Sequence, residues 1–276
     1  MFNTLSIICF FTFLIHLTES VAYSMRLSGI RTRQIAIAMS FVSSTLLVSR
    51  LSNMFQAPLL GAMVDSTALV GTTASLHQLE WSFRLVIFAA FLGSLVGAMM
   101  TPTAVELFQA AMRRFMQSGS LPRVALAAFR PRNAVRIIQA FKLPRLHLLK
   151  GIRLGTIPRT FLIVNVVVTA VYTIGVLCSL LAGAYLPEMR STAIQLSGIV
   201  NGIATIFFTI IVDPSGARIT DQAYQHQRPE ADVRSVIFFL LIGRIFGTFI
   251  LAQLIFLPFT YYIVWVTKLL SRLVVG

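Results

Sequence analysis

Long apolar runs, separated by short polar or basic stretches, set the organisation of this chain. A bilayer crossing needs roughly 20 predominantly apolar residues in helical form. Six stretches reach that length: about 2–24, 35–63, 85–112, 160–186, 191–212 and 235–267. The pattern predicts an all-α, polytopic integral membrane protein with about six transmembrane helices, forming a single transmembrane domain over residues 1–276. Pro258 lies near the middle of the last stretch. That stretch is expected either as one kinked helix or as a crossing followed by an interfacial piece ending in TKLLSRLVVG. The apolar run from Leu5 to Leu17 could form a signal-peptide core, but it lacks a positive flank and contains Glu19 just beyond, so it is read as a retained first crossing.

Polar groups inside these runs follow a pattern of their own. At 100° per residue, Thr12, His16, Glu19, Ser20, Tyr23 and Arg26 fall within an arc of roughly 120° on the first helix. Phe11, Leu14 and Val21 lie opposite and are expected to meet lipid. Such a stripe is tolerated where it faces other helices or a wet cavity. The second helix carries Arg50, Asn53 and Gln56 at three-residue steps, and the last carries Arg244 between Gly243 and Gly247 in small-xxx-small spacing. An arginine at a helix centre costs roughly 2.5 to 3.5 kcal/mol on insertion scales, and Glu19 is the acid expected to offset Arg50. The third helix has Gly93 and Gly97, then Thr101, Pro102 and Glu106. The fifth has Ser197, Asn201, Thr205 and Thr209 beside Gly198 and Gly202.

Charge adds orientation. The chain is 57% hydrophobic with a mean hydropathy of +0.82, and Lys+Arg outnumber Asp+Glu by 23 to 9. In so apolar a chain that excess points to cytoplasmic loops and anionic lipid headgroups rather than nucleic acid. No acid occurs from Leu107 to Pro187, and the loop 113–159 is dense in arginine. The positive-inside rule places this loop and the segment RLSGIRTR in the cytoplasm, with both termini outside. The residues from Asp213 to Arg234 form a second cytoplasmic loop on this reading. Prolines at 122, 131, 144 and 158 break the basic loop into pieces too short for a core of their own, so short amphipathic helices on the inner membrane surface are expected.

Candidate chemistry is that of an anion carrier. Membrane-depth Arg26, Arg50 and Arg244 outnumber the nearby acids, and arginine suits bidentate phosphate binding. Arg26 is expected near the inner surface, Arg244 in the inner half and Arg50 deeper. Glu19 would neutralise the empty site, His16 is expected in a structural hydrogen bond rather than a proton relay with Glu19, and Asn53 and Gln56 would offer hydrogen bonds to sugar or peptide groups. The sequence shows no GxSxG, HExxH, P-loop or CxxC motif, and its four histidines have no ligand spacing. No enzyme activity, cofactor or metal is expected. Cys9 and Cys178 lie in apolar runs, where a thiol behaves as a small hydrophobe.

Three segments carry a family resemblance: IHLTESVAYSMRLSGIRTRQIAIAMS, LVSRLSNMFQAPLLGAMVD and the stretch from IPRTF to IIVDP. With their SRxxN and QAPLLG elements they resemble the Amj family of bacterial lipid II flippases, alternates to MurJ. The resemblance implies translocation of undecaprenyl-pyrophosphate-linked disaccharide-pentapeptide from the inner to the outer leaflet of the cell membrane, for peptidoglycan synthesis. Lipid II and anionic membrane lipids are then the partners, with room for a homo-oligomer and a functional link to cell-wall synthases. Two other readings remain open on the residues alone: a structural or regulatory membrane protein whose polar stripes only join helices, and a small-anion or ion-coupled transporter.

Overall fold

The computed structural model describes residues 2–128, 141–142, 151–152, 155 and 157–275. Six helical units long and apolar enough to cross a membrane run through it, and all regular structure among the described residues is helical. The first unit is α1 (Phe2–Ala22), which continues past a turn at Tyr23 and Ser24 as α2 (Met25–Thr32). The second and third are α3 (Ile35–Val70) and α4 (Thr73–Ser118), followed by the short α5 (Leu121–Ala128). The fourth is α6 (Arg159–Tyr185). In the fifth, α7 (Arg190–Phe207) passes through a π-helical segment, Phe208–Val212, into α8 (Asp213–Tyr224). In the sixth, α9 (Glu230–Phe246) passes through a second π segment, Gly247–Leu251, into α10 (Ala252–Val275).

Helix ends depart from the apolar windows in a consistent direction. α4 begins twelve residues before its expected start, and α8 replaces much of the expected loop from Asp213 to Arg234. A helix that leaves the hydrocarbon satisfies its backbone internally whatever its side chains, so polarity marks where the membrane ends and not where the helix does. α3 and α4 are joined by two residues. Gly71 supplies the left-handed conformation (φ 63°) with its N–H bonded to the Thr67 carbonyl, and the Thr72 hydroxyl accepts from the Ser75 N–H at 3.2 Å. α10 runs through Pro258, and the irregularity in this unit lies at the π segment instead. α5 is the one helix of the expected surface helices among the described residues, and farther along Lys142 pairs with Glu106 Oε1 at 2.6 Å; Arg130, Arg132 and Arg136 lie outside the described residues.

Two helices act as hubs. α1 lies between α3 and α4, and α6 packs along α7, α9 and α10. Because α1 is central, Phe11, Leu14 and Val21 are half-buried rather than lipid-facing; its exposed apolar residues are Ile7 and Phe10. In lipid, helices associate through close packing more than through water exclusion, and glycines set the distance. A Cβ on Gly93 would collide with the Phe13 carbonyl of α1, and one on Gly97 would lie 2.6 Å from Ser20 Cβ. A Cβ on Gly243 would collide with Asn165 of α6, and one on Gly247 would lie 2.8 Å from the Val166 carbonyl. Gly198 and Gly202 on α7 have open space instead.

The apolar core is divided. Ile8, Met63, Phe83, Ile174, Leu181 and Phe256 belong to a large cluster toward one end. Smaller clusters around Phe161, Val233 and Leu240, and around Met25, Phe41 and Met112, fill the other. Asp65 pairs with Arg190 Nη1 at 2.5 Å at the first end, and Arg31 Nη2 with Glu230 Oε1 at 2.7 Å at the second. Charged groups of α1, α3 and α9 lie between these cores.

Candidate functional site

The stripe on α1 does what its angular spacing requires: it turns inward, where α3, α6 and α9 converge. Arg244 of α9 is 7% exposed. Its Nη2 bonds His16 Nδ1 at 3.1 Å and forms an ion pair with Glu19 Oε2. Glu19 Oε1 accepts from the Ser49 hydroxyl of α3 at 3.0 Å. Three helices are therefore joined through one carboxylate. Burying either charge alone would be strongly unfavourable, and the pair with its hydrogen bonds compensates both. This corrects the expected partner of Glu19: it neutralises Arg244, not Arg50.

Arg50 follows Ser49 on α3 and is exposed. Among the described residues it has neither hydrogen bond nor ion pair. Asp65, the one acid of α3, is taken by Arg190. Arg26 is mostly buried, and its Nη2 reaches Asp213 Oδ1 of α8 at 3.2 Å. Ser49 and Arg244 meet on the same carboxylate, and Arg50, next to Ser49, lines the same cavity as Arg244.

A cavity of about 460 Å³ joins these groups, and its lining includes His16, Glu19, Tyr23, Arg26, Ser49, Arg50 and Arg244 together with Asp213. Met39, Val42 and Leu46 of α3 form one apolar wall; Val168 and Tyr172 of α6 and Phe208 of the first π segment form the other. No residue of α7 lines the cavity, and it is open at a rim where wall residues of α3 and α6 are exposed. Met39 and Tyr172 at this rim are 52% and 41% exposed, and the Tyr172 hydroxyl meets that of Thr205 on α7. The result is a polar floor on which Arg50 is the one cation without a partner among the described residues, set between apolar walls.

Five of the seven candidate residues are thus brought together: His16, Glu19, Arg26, Arg50 and Arg244. Two are not. Gln56 is buried and donates to the Thr12 hydroxyl, joining α3 to α1 away from the cavity. Asn53 is exposed on α3 outside the lining. Reasoning from the sequence missed Ser49, Tyr172 and Asp213. Only Asp213 carried a signal, as an acid followed by proline at the end of an apolar run.

Comparison with known proteins follows the same lines. The family model described as "Alternate to MurJ" (Amj) matches residues 11–267. The chain is 36% identical over 272 residues to the protein named Lipid II flippase Amj from Bacillus subtilis (strain 168), covering 96% of this chain and 97% of that one. No solved structure matches.

Proposed function

The chain belongs to the Amj, or Alternate to MurJ, family, and on that premise we propose that it moves lipid II from the inner to the outer leaflet of the bacterial cytoplasmic membrane. The observation that carries this reading is Arg50, an exposed cation without a partner among the described residues, lining a cavity with the buried Glu19–Arg244 pair. Lipid II is anionic at its pyrophosphate, polar in its headgroup and apolar in its tail. A guanidinium can take two pyrophosphate oxygens at once, and the open rim lets the polyprenyl tail stay in the bilayer while the charge is held inside. His16, Glu19, Arg26 and Arg244 complete the polar surface the pyrophosphate meets.

The cavity lies within the range of small-molecule pockets, about 300–1,000 Å³, and is smaller than a disaccharide-pentapeptide. Passage of the whole headgroup therefore requires the walls formed by α3 and α6 to part. With no nucleotide-binding motif in the sequence, an ion gradient, the membrane potential or downhill flux of the lipid drives the cycle. The arginine-rich end carrying Arg26, Arg31, Arg113 and Arg114 faces the cytoplasm on this reading.

Purified protein in liposomes loaded with lipid II tests the proposal. The expected result is transfer of headgroup to the opposite leaflet, measured by its accessibility to an external enzyme, at a rate well above that of protein-free vesicles. A rate equal to theirs sinks it. Labelling from outside of cells carrying Ser118→Cys tests the orientation, with no reaction expected.

A further inference from the structure

A second cavity, of about 420 Å³, adjoins the first at the arginine-rich end between α2, α3 and α8. The two share Arg26, Met39 and Asp213 in their walls, so the Arg26–Asp213 ion pair is a partition between them. The pair is unlike the one at Arg244. Its single contact is 3.2 Å, and Asp213 is 51% exposed at its side chain while Arg26 is 13% exposed. The acid thus keeps access to solvent and can leave its partner without being stranded. Arg26 lies against the backbone of Gly216, where an added Cβ would sit 2.8 Å from Nη1 and 3.2 Å from Cζ. Glycine is poorly suited to a helix interior, and here it makes room for the guanidinium.

We propose that Arg26 is a second pyrophosphate-binding group, occupied by Asp213 until a polyprenyl pyrophosphate displaces that carboxylate and joins the two cavities. The inference rests on the lipid II reading. A pyrophosphate offers the planar guanidinium more negative charge and a two-oxygen contact, where Asp213 makes a single contact here. Once the partition opens, Arg26 and Arg50 both line a continuous passage from the arginine-rich end to the mid-membrane cavity. Gly216 is the positioning residue: it lets the guanidinium swing between carboxylate and ligand without leaving the wall.

Access to the first cavity is the readout. Val42→Cys places a thiol in its lining, and the full-length protein in inside-out vesicles is treated with a membrane-impermeant maleimide and compared with its parent lacking that substitution. Labelling should be slow, and faster on the order of tenfold when Asp213→Asn is added, a factor within the range of ligand-to-conformation couplings. Gly216→Ala, whose methyl group pushes Arg26 from its seat, should accelerate labelling in the same sense and carries the test if Asp213→Asn does not accumulate. Farnesyl pyrophosphate should accelerate labelling of the Asp213 protein, with little further effect on Asp213→Asn, and farnesol should not. Unchanged labelling in both variants overturns the partition. No response to farnesyl pyrophosphate overturns the displacement, and equal acceleration by inorganic pyrophosphate overturns its assignment to a lipid. Failure of the unmodified protein to move lipid II in liposomes tells against the flippase reading alone, so the two failures are distinguishable.

Discussion

Arg244 and Arg50 line the same cavity and differ in everything else. Arg244 is buried, paired with Glu19 and bonded to His16; Arg50 is exposed with no partner among the described residues. A membrane protein tolerates an arginine at depth when an acid compensates it or when it faces a wet or ligand-filled space. Arg244 meets the first condition and Arg50 the second. The same side chain thus holds helices together at one position and has no partner among the described residues at the other.

The largest effect is expected from breaking the closed member of the pair. Arg244→Ala leaves Glu19 without its cation, a change that costs about 3–5 kcal/mol where buried pairs lose one partner. The variant should fail to accumulate, as judged by its level in isolated membranes. Replacing both charges, with Glu19→Gln and Arg244→Met, should restore much of that level, because no uncompensated charge remains. If the single variant accumulates normally, Arg244 and Arg50 are equivalent and the contrast fails.

Arg50→Ala should do the reverse: normal accumulation with loss of lipid II transfer in liposomes. A protein that unfolds instead would show that Arg50 has a structural partner. Arg50→Lys sharpens the comparison, because lysine keeps the charge but loses the bidentate fork; transfer should fall between that of the alanine variant and the unmodified protein. Gln56→Ala should lower thermal stability in detergent slightly, near the roughly 0.6 kcal/mol average for interhelical hydrogen bonds in membranes, and leave transfer rates intact. Asn53→Ala should change neither. A marked loss of transfer with Asn53→Ala would extend the site along α3.

The crossings were legible because twenty apolar residues have few other uses, and the inward face of α1 was legible because its polar residues recur at helical angles. Partner choice was not. Glu19 and Arg50 look like natural partners in one dimension, but which helix meets which is decided by the close approach at Gly93, Gly97, Gly243 and Gly247. The row Arg50, Asn53, Gln56 misled for a geometric reason. Steps of three residues turn by about 60° less than a full circle each time, so Gln56 lies about 120° around α3 from Arg50. It therefore faces α1 while Arg50 faces the cavity. Small-xxx-small spacing was equally ambiguous: it marks tight contact on α4 and α9 and empty space at Gly198 and Gly202 on α7.

The two π segments change what a one-residue deletion would do. In a regular α-helix, removing a residue turns everything beyond it by about 100°. A π turn already holds one residue more than an α turn, so a deletion inside 208–212 or 247–251 can tighten that turn to α geometry and leave the flanking faces in place. Asp213 directly follows the first of these turns, and Arg244 lies three residues before the second. Length variation among relatives is therefore most easily absorbed beside these two charges, with Asp213 still directed at α2 and Arg244 at α1.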